Sequence, residues 1–454
     1  MKSTTFSTQS SDETWSNCSR SALQTDGRAS GIHPCCPCAT SSDLACASER
    51  SPACVRLASS RLFLLTLVLV TSLGPLAMSS FVPAIPAIAA DFQVSASVAQ
   101  LTLSVSILTM AIASLAYGGL ADRFGRRPVL LGGIFMGMVG SVLCAIGPGI
   151  EIVILGRALQ AAGASTGFVL ARVIVRDVYG DKKSTSVLAY ITAAMTVAPM
   201  LGPILGGVLI DGVGWRAVFI VIAVVAAGLL AIVAARLPET RPSISSAATP
   251  SLIAGYRRVL RNADYIKFLI FGTMSQAAFF GFVAGAPYIM SEILGYPATV
   301  YGFYFALVPF GYFIGSLIAG RYAERVSNER LTTLGAAAGM LACALGFLWT
   351  SGISVEPLSL FIPASILGIA SGLALPGAQA GMLSAARDDS GAGSGLFSFV
   401  QLMASAVAAQ VVGLLQHLGA TGLFGMMLGA SALALFGYVA ASSYAIKASA
   451  SASP

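Results

Sequence analysis

Charge is what this sequence has least of. Only 10% of its 454 residues are Lys, Arg, Asp or Glu, against about 25% in an ordinary soluble domain. With a mean hydropathy of +0.82, a water-soluble globular fold is excluded. Histidine is scarcer still, with only His33 and His417 present, and no His–Cys cluster or Ser-His-Asp set appears. There is no G-x-x-x-x-G-K stretch either, so ATP-driven work has no phosphate cradle. An enzyme is not indicated, nor is a cofactor or a metal. The N-terminal stretch lacks the apolar segment and cleavage site of a signal peptide, so the first apolar run is expected to stay attached.

What the chain does have is apolar length. Twelve runs lie between Leu62 and Ile446, centred near Leu69, Leu108, Met138, Val169, Ala194, Val225, Phe279, Pro309, Met340, Gly368, Ala406 and Leu433. Each suits a helix of about 20 residues, enough to cross a bilayer. The expected fold class is therefore an all-α membrane protein with twelve transmembrane helices. The 48 glycines and 20 prolines fit close-packed, kinked spans.

The net charge of +7 reflects topology. Of the 26 Lys and Arg, only Arg216 falls in an expected external loop, and Arg157 sits within a span. External loops carry Asp91, Glu151, Asp211, Glu292 and Glu356 instead. The asymmetry places both termini in the cytoplasm and the chain in the inner (plasma) membrane, with the bilayer rather than nucleic acid as its partner.

Residues 1–60, rich in Ser, Thr, Ala and Cys, read as a disordered cytoplasmic tail. They hold Cys18, Cys35, Cys36, Cys38, Cys46 and Cys54. The His33–Cys38 stretch has irregular spacing and two prolines, so no metal is assigned, and a reducing cytoplasm would leave these thiols free. Residues 61–236 form a first six-helix bundle and 263–446 a second, with a C-terminal tail at 447–454. Between them, 237–262 is a linker whose Leu252–Arg261 part suits a short basic amphipathic helix on the inner leaflet. An internal echo supports two halves: Gly320-Arg321-Tyr322-Ala323-Glu324-Arg325 is a degraded copy of Gly118-Gly119-Leu120-Ala121-Asp122-Arg123, 202 residues on.

Four stretches carry motifs. Gly118–Gly133, with Gly118, Asp122, Arg123, Gly125, Arg126 and Arg127 in ordered spacing, resembles the signature loop between helices 2 and 3 of the major facilitator superfamily. Arg157, Gln160 and Gly163 resemble its R-x-x-Q-x-x-G motif. Ala198–Gly207, with Gly202, Pro203, Gly206 and Gly207, is similar to its antiporter motif, Ala198 replacing the first glycine. Gly74–Pro86, Gly285–Met290 and Gly372–Pro376 resemble the bicyclomycin-resistance (Bcr/CflA) drug exporters. Those proteins carry an aspartate where this chain has Ser79.

The resemblance implies two six-helix bundles rocking about a midplane site. It implies export of small, drug-like molecules, most simply by a monomer. Candidate lining residues are Ser79, Ser80, Arg157, Gln276, Phe279, Phe280, Tyr304, Gln379 and Gln401. Asp122 and Arg126, with Asp177 nearby, are expected to form a cytoplasmic gating cluster. For Arg157 two readings stand, snorkelling to the outer interface or a buried cation bracing the first helix. Proton antiport is implied, yet no acid falls at mid-span. Either an interfacial acid such as Glu151 or Asp211 takes the proton, or transport is facilitative or inward. A non-transporting sensor that keeps the fold is the remaining alternative.

Overall fold

The computed structural model describes residues 61–240, 252–322, 325–352, 354–386 and 390–452; the Cys-bearing tail lies outside them. Among the described residues every regular element is a helix. They are α1 (Arg61–Phe81), α2 (Ile85–Phe92), α3 (Ala96–Phe124), α4 (Arg126–Ile146), α5 (Ile150–Gly212), α6 (Trp215–Arg236), α7 (Leu252–Val259), α8 (Ala263–Tyr288), α9 (Ala298–Phe305), α10 (Leu307–Tyr322), α11 (Asn328–Gly352), α12 (Pro357–Ala385), α13 (Ser390–Leu414) and α14 (Gly419–Ala452). Pro83 and Pro86 have no N–H to donate, so α1 gives way to a 3-10 turn at Val82–Ala84 before α2 resumes.

Eleven stretches among the described residues are long and apolar enough to cross a bilayer. The shorter Val197–Gly212 takes the twelfth place, later in the chain than the run centred on Ala194. Where a loop is expected between the fourth and fifth spans, the backbone is helical throughout α5. This helix cannot be a straight rod. Ala164 packs on Gly74 of α1, while Gly202 packs on Ser79, five residues further along α1. A straight helix would hold Ala164 and Gly202 about 57 Å apart, at about 1.5 Å per residue. So α5 folds back on itself, and its two arms embrace α1.

The apolar cores show how the halves meet. One core joins them, with Phe81, Ile88, Leu103 and Val153 from the first half against Phe282, Met290, Tyr301 and Val412 from the second. It lies at the end away from the arginine loop between α3 and α4. Toward that loop, which we call the basic end, the core divides. Leu67, Tyr117, Leu130 and Val175 pack within the first half alone. Tyr265, Phe271, Met382 and Tyr438 pack within the second. The two helical halves thus form a wedge, shut at the far end and parted at the basic end.

Two seams shut the far end. At one, Asp211 at the end of α5 accepts the N–H groups of Ala298 (3.1 Å) and Thr299 (2.8 Å), capping α9. At the other, Gln410 of α13 donates to the Ser97 carbonyl (3.2 Å) and accepts from the Ser104 hydroxyl (3.0 Å) on α3.

Candidate functional site

The arginine loop turns on Gly125, whose φ of +98° is open to glycine and strained for other residues. The turn starts α4 with two arginines, the wrong charge for a helix N-terminus. Glu239, just beyond α6, supplies the missing anion. Its carboxylate accepts the backbone N–H of Arg126 (2.8 Å) and of Arg127 (3.1 Å). A Cβ on Gly125 would lie 2.6 Å from Glu239 Oε2, so the close approach also needs glycine. The Arg126 side chain, only 8% exposed, donates to Asp177 Oδ2 (3.2 Å) and to the Ala121 carbonyl (2.8 Å). Arg127 donates to the Ala234 carbonyl (2.6 Å), and Arg123 lies over the Phe124 ring at 5.2 Å. Gly118 and the Asp122 side chain lie outside the described residues. The cluster is formed while the basic end is open, and the partners named here all belong to the first half or its trailing segment.

Sequence reasoning missed Glu239. The signal for it was present, since Glu239 is the only acid between residues 237 and 262, directly after an apolar run.

Arg157 does not snorkel. It is 2% exposed, its guanidinium lies 4.0 Å over the Phe81 ring of α1, and it donates to Gln160 Oε1. Gln160 in turn donates to the Ser141 hydroxyl of α4 (2.7 Å), and the Arg157 carbonyl accepts from Ser106 of α3 (3.5 Å). Arg157 and Gln160 together thus link α5 to α1, α3 and α4, and the cation has a π face rather than a carboxylate beneath it.

The Ala198–Gly207 motif works on two faces. Gly202 and Gly206 seat against Ser79 and Ser80 of α1, where any Cβ would collide. Pro203 and Gly207 lie against Gly302, Ala298 and Thr299 at the α5–α9 seam. Spacing of four keeps each pair on one side of the helix. Ser79 and Ser80 are consequently buried in the α1–α5 contact, donating to the Pro75 (2.7 Å) and Leu76 carbonyls.

The remaining candidates are spread over the second half. Gln276, Phe279 and Phe280 are half-buried on α8, the two rings edge to face at 5.5 Å. Tyr304 of α9 stacks on Phe361 of α12 at 5.4 Å. Gln401 of α13 is half-buried and donates to the Gly272 carbonyl of α8 (3.1 Å), and Gln379 of α12 is exposed. A small cleft at the far end, lined by Ile85, Ala99, Ala284, Tyr288 and Gln416, includes none of them.

The model for the Major Facilitator Superfamily matches residues 67–409. An uncharacterized MFS-type transporter, YdgK of Bacillus subtilis (strain 168), is 29% identical over 75% of this chain and 86% of its own length. Multidrug resistance protein D of Escherichia coli (strain K12) is 27% identical over 78% of this chain and 89% of its own. Among solved structures, a bacterial homolog of the human lysosomal transporter Spinster, in an inward-facing and unoccupied conformation, superposes with a TM-score of 0.68. It is 16% identical and covers 88% of this chain and 98% of its own.

Proposed function

The chain belongs to the Major Facilitator Superfamily, and from that premise we propose that it is a Bcr/CflA-type exporter of small drug-like molecules, driven by proton antiport. Membership makes it a multi-pass membrane transporter rather than an enzyme. The observation that carries the finer reading is the wedge, with one shared core at the far end and two separate cores at the basic end. That is one of the two states alternating access requires. With the arginine loop in the cytoplasm, the opening faces inward, where an exporter loads. The multidrug-resistance protein among its relatives supports export of drug-like molecules.

For the proton we favour Asp211 over Glu151. Both are exposed, but only Asp211 spans the seam that must part when the wedge opens outward. Protonation would remove the anion from the α9 N-terminus and loosen that seam. One observation favours facilitated transport as a second reading: among the described residues no carboxylate lies at mid-span.

The test is uptake of a dye and antibiotic panel into everted vesicles, with and without an uncoupler. Wild type is expected to accumulate substrate and lose it on uncoupling. Asp211→Asn should reduce the uncoupler-sensitive part at least five-fold while keeping downhill exchange. Uptake indifferent to the uncoupler would establish the facilitated reading. A chain lacking residues 1–58 should transport normally, and failure there would revive the sensor.

A further inference from the structure

We propose that the inward-facing wedge carries an anion subsite at Arg172 on α5, so that the favoured cargo is an organic acid with an aromatic or apolar body. This rests on the export reading above and names its substrate class.

Arg172 lies inside a membrane-spanning stretch, Ile150–Tyr179, where a guanidinium persists only facing protein or water. Its helix is covered on two sides. Gly163 and Thr166 pack on α4, and Ala164 and Gly167 pack on α1. Phe168 and Arg172, four residues apart, share a stripe with Ala161 and Ser165 on the other side. Along that stripe the covering changes. Ala161 and Ser165 are 8% and 3% exposed, Phe168 is 38% exposed, and Arg172 is exposed. Tyr117 of α3 donates to the Ala162 carbonyl (2.8 Å), so α3 closes the far part of the stripe and the part toward the basic end is left open.

The direction of the side chain excludes snorkelling. The guanidinium lies over the Phe168 ring at 4.0 Å, one turn toward the far end and away from the water interface at the basic end. Arg172 makes no hydrogen bond or ion pair among the described residues. Phe168 gives it a π face but no anion. On the second half, Gln379 lies 22 residues into α12, as Arg172 lies 22 residues into α5, and is also exposed. A fixed cation and an amide thus stand at corresponding depths in the two halves, and among the described residues acids are confined to the ends. A cleft of this kind draws anions and repels cations. The guanidinium fork matches a planar carboxylate, and the ring beside it suits an aryl body.

The test uses three probes on one ring system: 1-naphthylacetate, 1-naphthylacetamide and 2-(1-naphthyl)ethylamine. Binding to the purified full chain is measured by equilibrium dialysis, and accumulation in everted vesicles separately. Wild type should bind the acid about ten-fold tighter than the amide, with the amine weakest, as one charge-assisted pair allows. Arg172→Gln should abolish that preference while leaving the amide within about two-fold, and Arg172→Lys should keep part of it. Equal binding of acid and amide by wild type, or tightest binding of the amine, overturns the proposal. So does an equal loss for acid and amide in Arg172→Lys. Acid-selective binding without vesicle accumulation would remove the export reading and leave the subsite. Accumulation of amide and amine without acid preference would do the reverse.

Discussion

The two halves solve the same problem at the basic end with different residues. In each, a helix starts at matching positions, α4 at Arg126 and α11 at Asn328, 202 residues apart. In each, a carboxylate sits at that helix start and a buried cation lies close by. In the first half the carboxylate comes from afar, Glu239, and the cation Arg126 belongs to the helix itself. In the second half the carboxylate, Glu329, is in the first turn of α11, and the cation comes from afar. Lys267 of α8, only 4% exposed, reaches Glu329 and Asp264 at 2.7 Å each. Donor and acceptor have exchanged places while the arrangement persists. What the repeat keeps is an electrostatic requirement of a helix N-terminus, not a residue.

The difference has a mechanical side, because the first half needs a glycine to admit its distant carboxylate. Gly125→Ala should therefore have the largest effect of any change at this end. Strain at φ +98° costs about 1–3 kcal/mol, and the new Cβ would push Glu239 off the α4 N-terminus. We expect a clear fall in melting temperature of the purified chain and at least ten-fold slower vesicle uptake. A variant that melts and transports like wild type would show that the loop has room the structure does not display.

Next in size is the contrast between the two carboxylates. Glu239→Gln removes the anion that accepts the first two N–H groups of a helix carrying two arginines at its start, for a loss of about 1 kcal/mol with solvent screening. Glu329→Gln leaves Lys267 its Asp264 partner, and Glu329 is itself 64% exposed. Its loss should be at most about 0.3 kcal/mol. Raising salt should narrow the gap between the two variants. Equal melting shifts at low salt would break the equivalence drawn here.

Much of this arrangement was legible in the chain. The arginine loop, its glycine and the apolar spans follow from spacing and hydropathy, because those are local or periodic signals. The partners that fold back from a distance were not. Glu239 lies 113 residues from Arg126, and nothing in the linker's composition says where its one acid will dock. Ser79 was equally opaque. Its place in the family pattern suggests a lining residue, yet Gly202 lets the returning arm of α5 seat directly on it. Arg172 stands close to Arg176 and Asp177 in the sequence, and spacing alone does not single out one arginine of such a group.

The smallest expected effect is at Ser327, which occupies in the second half the position Gly125 holds in the first, again 202 residues on. Among the described residues the turn before α11 admits no distant carboxylate. Ser327 does not need a positive φ, and its hydroxyl accepts the Arg330 N–H at a long 3.4 Å. Ser327→Ala therefore removes only a weak N-cap. The cost belongs at the low end of the usual range, about 0.5 kcal/mol, and uptake should stay within two-fold of wild type. Ser327→Gly should be milder still, since glycine is a tolerable N-cap. If Ser327→Ala instead matched Gly125→Ala in melting and uptake, both turns would be equally constrained, and the asymmetry between the halves would have to come from outside these helix starts.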